Sequence, residues 1–94
     1  MIDNKIHELK VWKQFYPDVA SKLKQFEIRQ NDRNFKPGDT MILQEWDPEL
    51  EKYTGNRCDA SVDYVLYHED FPQGIQKGYC VMSITVMATR KVYI

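Results

Sequence analysis

The segment KQFEIRQNDRNFKPGD, residues 24–39, decides how the rest of this chain is interpreted. Its first part predicts a strand, in which Phe26 and Ile28 point to one side while Glu27 and Arg29 point to the other. Residues 31–34 are polar and have no apolar period, and the Pro-Gly-Asp sequence at 37–39 is a strong turn signal. We therefore expect a strand that buries its Phe and Ile, followed by a loop that presents charged side chains.

The charged residues of this segment have two interpretations. In the first, Glu27 and Arg29 lie on a solvated sheet face, and Asp32 and Arg33 are ordinary loop charges. In the second, the four side chains line one wall of a polar cleft, because a loop at a strand end is well placed to present groups to a ligand.

Length and composition limit the chain to one small domain over residues 1–94. Of the 94 residues, 43% are hydrophobic and 13% aromatic, which is typical of a compact globular protein. A chain of this size holds one sheet or small barrel, and it has no room for separate cofactor and substrate domains.

The formal net charge of −1 gives no overall basic bias. Residues 5–36, however, contain eight Lys and Arg against four Asp and Glu, so a moderately positive face is expected.

Cysteine and histidine content argues against a metal site and against a disulfide framework. Cys58 and Cys80 have no CxxC spacing, and we interpret them as small buried residues of a reducing compartment, with a single disulfide as the lesser alternative. His7 and His68 have no neighbour at metal-ligand spacing, so neither a metal nor a cofactor is expected.

The N-terminus lacks the apolar core of a signal peptide, and no apolar run reaches spanning length. We expect a cytoplasmic protein with no membrane partner.

The apolar periodicity predicts an α+β, mainly β fold, a small five- to six-stranded mixed barrel or partly open sheet with one short helix after the first strand. The helix is expected to begin near Tyr16 and to end at residues 22–24, with Phe15, Val19 and Leu23 on one face. The predicted strands are residues 5–12, a strand beginning at Phe26, 40–46, 57–67 with a bend or bulge, and 79–87. Residues 90–94 are expected either to add a short edge strand or to fray.

The aromatic residues near the first strand also have two interpretations. Trp12, Phe15 and Tyr16 could stack on bases, since an aromatic face accepts any base. Such a cluster is more often part of a core, and this is the interpretation that we favour. Trp46 at the end of its strand is a better stacking candidate, but it too is first interpreted as structural.

The order and spacing of several motifs resemble the ASCH family of the PUA-like superfamily, and in particular a small bacterial and phage branch of unassigned function. The match covers nearly the whole chain. It rests on His7-Glu8-Leu9-Lys10, Phe26-Glu27-Ile28-Arg29, Asn31-Asp32-Arg33, Phe35, Gly38-Asp39, Glu45-Trp46-Asp47, Tyr53-Thr54-Gly55, Tyr64-Val65-Leu66 and residues 78–84.

This resemblance implies a PUA-like β-barrel with a charged cleft beside it that binds RNA or a nucleotide-like small molecule. We predict that the cleft is lined by Lys10, Lys24, Glu27, Arg29, Asp32, Arg33 and Glu45. Arginine suits this task because its guanidinium is a planar fork of donors for phosphate or a base edge. His7 is a further candidate, although the face that it shares with Leu9 and Val11 favours a core histidine.

Some small ASCH proteins are amidohydrolases that remove an acyl group from the exocyclic amine of a modified cytidine. Lys24 stands at the position of their lysine, but Glu27 replaces their threonine, and the Gly-x-Lys-Thr lead-in is absent from residues 22–25. Their mechanism is therefore not carried over. A hydrolase would need Glu27 or Glu45 to activate water while Lys10 or Lys24 stabilises an oxyanion. A third hypothesis is a protein-interaction module in which these charges only form a structural ion-pair network.

Overall fold

A computed structural model describes residues 3–93 and has one curled sheet with a short helix against it. Its elements, in chain order, are β1 (Ile6–Trp12), α1 (Tyr16–Ala20), β2 (Phe26–Gln30), β3 (Thr40–Asp47), β4 (Lys52–Tyr67), a 3-10 turn (His68–Asp70) and β5 (Tyr79–Lys91). The strand order across the sheet is β1-β3-β4-β5-β2. The predicted mainly β fold with a helix after the first strand is confirmed.

The sheet is mixed, as predicted, and it forms a half-barrel. β1 and β3 are parallel, since the chain passes through α1 and β2 before it returns beside β1. The other neighbouring pairs are antiparallel. Over residues 3–93, β1 and β2 are the two edges of the sheet, so the curl is not completed by a β1–β2 ladder.

The concave face of the sheet holds the core. On β1 the face of His7, Leu9 and Val11 is buried, and the opposite face is exposed, as the alternation predicts. α1 covers one end of this core with Tyr16 and Val19. Full burial of one such apolar side chain contributes about 1.5–3 kcal/mol. The largest side chains that are almost completely buried include Phe35, Met41, Leu43, Met82, Val19 and Val62.

The helix is shorter than predicted. It ends at Ala20, and Lys22 has a left-handed backbone with φ of 69°, which cannot continue a helix. Phe15 and Leu23 were expected on the buried helix face with Val19, but they are 48% and 78% exposed. This expectation was wrong because the helix has only five residues. Tyr16 and Val19 contact the core, and the helix is too short to carry a third contact residue one turn further on.

Both long strands exceed their predicted bounds. β4 begins at Lys52 because the turn before it is tight: the Asp47 carboxylate accepts the amides of Glu49 and Leu50 at 2.9 and 3.1 Å. β5 continues to Lys91, so of the two expectations for residues 90–94 the separate edge strand is wrong within the described residues; residues 92–93 follow β5 without strand structure, and Ile94 lies outside the described residues.

The predicted bulge in β4 is confirmed, and it changes which side chains are buried. The pairing of β4 with β5 shifts between Val62 and Tyr64. An inserted residue reverses the alternation beyond it. Val65 is therefore buried, and Tyr64, expected on the face of Val62, is 62% exposed.

The orientation of β2 is opposite to the one expected. Phe26 and Ile28 are 47% and 60% exposed, whereas the Glu27 residue is 4% exposed. β2 is an edge strand that pairs with β5, and its concave side faces the edge of β1, where cations meet the Glu27 carboxylate. The prediction that Phe and Ile face the core here was wrong, since two hydrogen-bonded cations, Lys24 and Arg29, make an inward carboxylate tolerable.

A buried His–Asp pair fastens the loop before β3 to the start of β1. His7 Nε2 lies 2.8 Å from Asp39 Oδ2, and the same carboxylate accepts the amides of Lys5 and Lys36 at 3.0 and 3.1 Å. Burial alone would raise the pKa of Asp39, but the hydrogen bonds from His7 and the two amides outweigh it and lower that pKa. The His7 ring also contacts Phe35 edge-on at 4.7 Å between centroids. His7 is thus a core histidine.

Candidate functional site

The two edge strands of the half-barrel approach one another along a line that we call the seam. Arg29 on β2 donates to the Lys10 carbonyl at 3.0 Å, and Arg33 donates to the Glu8 carbonyl at 3.1 Å. Alternate carbonyls of a strand point to the same side, so Glu8 and Lys10 offer acceptors along the free edge of β1. Arginine side chains thereby bridge the seam where strand pairing does not.

A cavity of about 540 Å³ opens at the seam. This volume is in the range of small-molecule sites, roughly 300–1,000 Å³. Its walls combine apolar rings with charged groups from β1, the segment before α1, the segment before β2, and β2 itself. The lining residues are Lys10, Val11, Trp12, Gln14, Phe15, Lys24, Phe26, Glu27, Ile28 and Arg29.

Glu27 lies between two cations at this cavity. Its Oε1 accepts Lys24 Nζ at 2.7 Å, and its Oε2 accepts Arg29 Nε at 2.9 Å. The Glu27 side chain is 5% exposed, whereas those of Lys24 and Arg29 are 24% and 23% exposed. Glu27 and Arg29 face the same way because they are two residues apart on a strand, and the loop after α1 brings Lys24 to them.

This cluster carries a surplus positive charge that remains accessible. Two cations share one carboxylate, and each cation keeps N–H donors beyond those directed to Glu27. Lys24 Nζ also donates to the Phe26 carbonyl at 2.8 Å and lies 4.8 Å from the centre of the Phe26 ring. The arrangement suits an anionic or acceptor-rich ligand that also has a flat apolar face.

Two of the predicted site residues direct their side chains elsewhere. Lys10 contributes its backbone carbonyl to the seam, while its Nζ lies 3.6 Å from the Trp46 ring centre on the convex face. Glu45 is buried away from the cavity lining and accepts Thr54 Oγ1 and Asn56 Nδ2 at 2.7 and 3.0 Å.

The loop candidates Asp32 and Arg33 are exposed and do not line the cavity. Arg33 lies further along the seam, at Glu8. The structure therefore brings together Lys24, Glu27 and Arg29 of the predicted set, with the Lys10 backbone beside them.

The apolar walls of the cavity are functional candidates that the sequence interpretation assigned to the core. Trp12, Phe15 and Phe26 are each about half exposed, at 49%, 48% and 47%. Tyr16 is the member of the aromatic cluster that is buried, at 6%. The sequence did indicate that Trp12 is exposed, because in an alternating strand it lies on the face opposite to the buried residues Leu9 and Val11.

Within residues 3–93, no group of three or more His, Cys, Asp and Glu side chains is arranged to hold a metal ion. Both cysteines are free and buried, as expected. Burial raises the pKa of Cys58 to about 11 and also raises the pKa of Cys80, so neither thiol is activated as a nucleophile. Among the helices of the described part, none has the length and apolarity needed to cross a membrane.

The chain is similar to a described domain family and to a phage protein. The profile of a family described as "Domain of unknown function (DUF3850)" matches residues 6–84, a range that contains the whole seam. An Escherichia phage P2 protein, named "Uncharacterized 12.9 kDa protein in GpA 3'region", is 36% identical over 75 residues. The aligned part is 68% of this chain and 67% of that phage protein.

Proposed function

The chain belongs to the DUF3850 family of domains of unknown function, and we propose that it is a binding domain for RNA or a nucleotide-like ligand. We further propose that it is an ASCH-type domain with PUA-like architecture, on the motif resemblance described above. The observation that carries the functional proposal is the seam cavity, in which a buried carboxylate is held by two cations and surrounded by half-exposed aromatic rings.

Each part of a nucleotide has a chemical counterpart at this cavity. The remaining N–H groups of Lys24 and Arg29 donate to phosphate oxygens or to acceptors on a base edge. Glu27 has one lone pair per oxygen beyond those used by the two cations, and these accept an exocyclic amine or a ribose hydroxyl. Trp12, Phe15 and Phe26 offer apolar ring surface to the base.

The test is a fluorescence titration with nucleoside 5′-monophosphates and with single-stranded RNA, repeated at about 50 and 200 mM salt. Binding is expected to weaken at the higher salt. Lys24→Gln is expected to weaken it about tenfold or more, since a hydrogen bond to a charged group contributes about 1.5–3 kcal/mol. Lys77→Gln is the matched control, because Lys77 is exposed in the turn before β5 and does not line the cavity.

If the charges serve only as an ion-pair network, Lys24→Gln and Arg29→Gln will lower the free energy of unfolding and will leave any ligand affinity unchanged. The absence of measurable binding, or binding that does not respond to salt, would refute the proposal.

The 2.7 Å contact between Lys24 and Glu27 favours one alternative, a hydrolase that acts on a modified nucleoside or base. Both candidate bases already accept two hydrogen bonds each, Glu27 from Lys24 and Arg29, and Glu45 from Thr54 and Asn56. Glu27 keeps free lone pairs for a water, but its negative charge is shared between Lys24 and Arg29, and Glu45 does not line the cavity. Binding is therefore the function that the geometry supports better. Turnover of an N-acylated cytidine that Glu27→Gln abolishes in a folded protein would reverse this order.

A further inference from the structure

The convex face of the sheet carries a row of four residues, three basic and one glutamine, that runs across four strands. The strand registers place Lys10 opposite Gln44, Gln44 opposite Arg57, and Arg57 opposite Arg90. Directly opposed residues project to the same side of a sheet, and adjacent strands are about 4.8 Å apart, so the row is about 14 Å long. We call these four residues the basic row.

An aromatic row lies next to the basic row on the same face. Trp12 is opposite Trp46, and Trp46 is opposite Tyr53. The Trp46 and Tyr53 rings meet edge to face at 4.9 Å between centroids, and Lys10 Nζ lies over the Trp46 ring at 3.6 Å. Cations and aromatic rings are therefore interleaved on one surface.

The basic row is incompletely neutralised by the protein. Like charges directly opposite one another destabilise a strand pair, yet Arg57 faces Arg90 across β4 and β5. Asp59 pairs with Arg90 at 3.1 Å. Arg57 Nε is buried and finds no hydrogen-bond partner in the described part of the chain. A buried donor without a partner costs free energy, so this arginine is held in place at a cost, and an anion bound at the guanidinium groups of Arg57 and Arg90 would offset the like-charge pair.

The two rows are continuous with the seam cavity. Lys10 and Trp12 line the cavity, and they are also the β1 members of the basic row and the aromatic row. The next row on the same face, on the side of the basic row away from the aromatic row, includes the acids Glu8 and Asp59. These acids border the surface, so a polyanion that leaves the cavity is directed along the aromatic and basic rows.

We propose that this convex face binds a segment of single-stranded nucleic acid that continues from the seam cavity across β1, β3 and β4 to β5. Its phosphates contact Arg57 and Arg90, and its bases stack on the aromatic row after Lys10 leaves the Trp46 ring. This inference rests on the proposed function and adds that the partner is a strand of several nucleotides rather than a free nucleotide. A single strand fits better than a duplex, because stacking on protein rings requires unpaired bases.

The test compares ligands of different length on the wild-type protein and on Arg57→Gln, with Lys77→Gln as the control. The ligands are a nucleoside 5′-monophosphate, single strands of RNA and DNA of about eight nucleotides, an RNA duplex of the same length, and oligoglutamate of matched charge. The single strand is expected to bind at least about tenfold more tightly than the monophosphate. Arg57→Gln should weaken the single strand several-fold, leave the monophosphate unchanged, and reduce the slope of log K against log salt by about 0.7.

Arg90→Gln serves as the second variant, and thermal unfolding checks that every variant is folded. The inference is overturned if the single strand binds no more tightly than the monophosphate, or if Arg57→Gln weakens both equally. It is also overturned if the duplex or oligoglutamate binds as well as the single strand. If no nucleic acid ligand binds, the monophosphate included, the proposed function itself is refuted. A preference for RNA over DNA would identify contacts to the 2′-hydroxyl.

Discussion

Replacement of Asp39 by Asn should destabilise this protein strongly although the two side chains have the same shape. The Asp39 carboxylate is 1% exposed, and it accepts His7 Nε2 and the Lys36 amide on Oδ2 and the Lys5 amide on Oδ1. An Asn at this position has one acceptor oxygen, and its NH₂ group would face at least one donor. Hydrogen bonds to charged groups contribute about 1.5–3 kcal/mol each, and an unsatisfied buried group costs about 1–3 kcal/mol.

We therefore expect Asp39→Asn to lower the free energy of unfolding by about 3–5 kcal/mol, from a total of about 5–14 kcal/mol for a domain of this size. Urea unfolding measured by circular dichroism gives this difference. Asp32→Asn is the control, since Asp32 is exposed and a surface change usually stays within about 0.5 kcal/mol. A loss below about 1 kcal/mol for Asp39→Asn would refute the idea that this pair fastens the fold.

The same residue predicts a pH dependence with a definite sign. The folded-state pKa of Asp39 is lowered, so its contribution is fully present above the pKa of about 3.9 of an unfolded-state Asp and is lost as pH falls through the folded pKa. The wild type should lose stability on acidification through this range, and Asp39→Asn should show a flatter acid limb. Equal acid limbs for the two proteins would contradict this assignment.

Three further predictions concern the seam, a backbone turn and the thiols. Glu27→Gln should lower the free energy of unfolding by about 1–3 kcal/mol, because Lys24 and Arg29 lose a charged acceptor. The control Glu69→Gln, in an exposed turn, should not lower it, and equal urea midpoints for the two variants would contradict the prediction. Gly55→Ala should lower the thermal midpoint, because Gly55 has φ of 96° and an added Cβ would overlap the Val92 carbonyl oxygen; an unchanged midpoint would show that the close approach is absent. Cys58 and Cys80 should resist thiol reagents at neutral pH until denaturant is added, and rapid labelling of the native protein would be inconsistent with their burial.

The parts of the fold that the sequence predicted are those with a clear period of two. β1 alternates buried and exposed residues and β3 alternates buried and half-buried residues over their whole length, so these two strands were predictable. The orientation of β2 was not, because apolar and charged residues alternate in FEIRQ and either face could be the inner one. Which face turns inward is decided by the β1 edge and by Lys24, neither of which is encoded in the local period. A bend or bulge in β4 was expected from the length of the strand, but its position near Val62, and hence the exposure of Tyr64, depends on the pairing with β5.

The candidate site was predictable to the extent that it is local in sequence. Glu27 and Arg29 share a face by strand parity, and Lys24 lies three residues from Glu27, so their cluster follows from the segment itself. Grouping Lys10 and Glu45 with them required knowledge of how distant strands are arranged. The Lys10 side chain instead meets the Trp46 ring, and Glu45 meets Thr54 and Asn56 at the β3 bulge.

The central claim is that the cavity between the two edge strands binds a nucleotide. It is tested most directly by titrating the protein with a nucleoside 5′-monophosphate while amide shifts are followed by two-dimensional NMR. The prediction is a saturable set of shift changes centred on residues 10–15 and 24–29, which contribute the cavity lining, and its loss in Lys24→Gln. Shift changes centred on the groove between Pro17 and Lys91, or none at all, would contradict it.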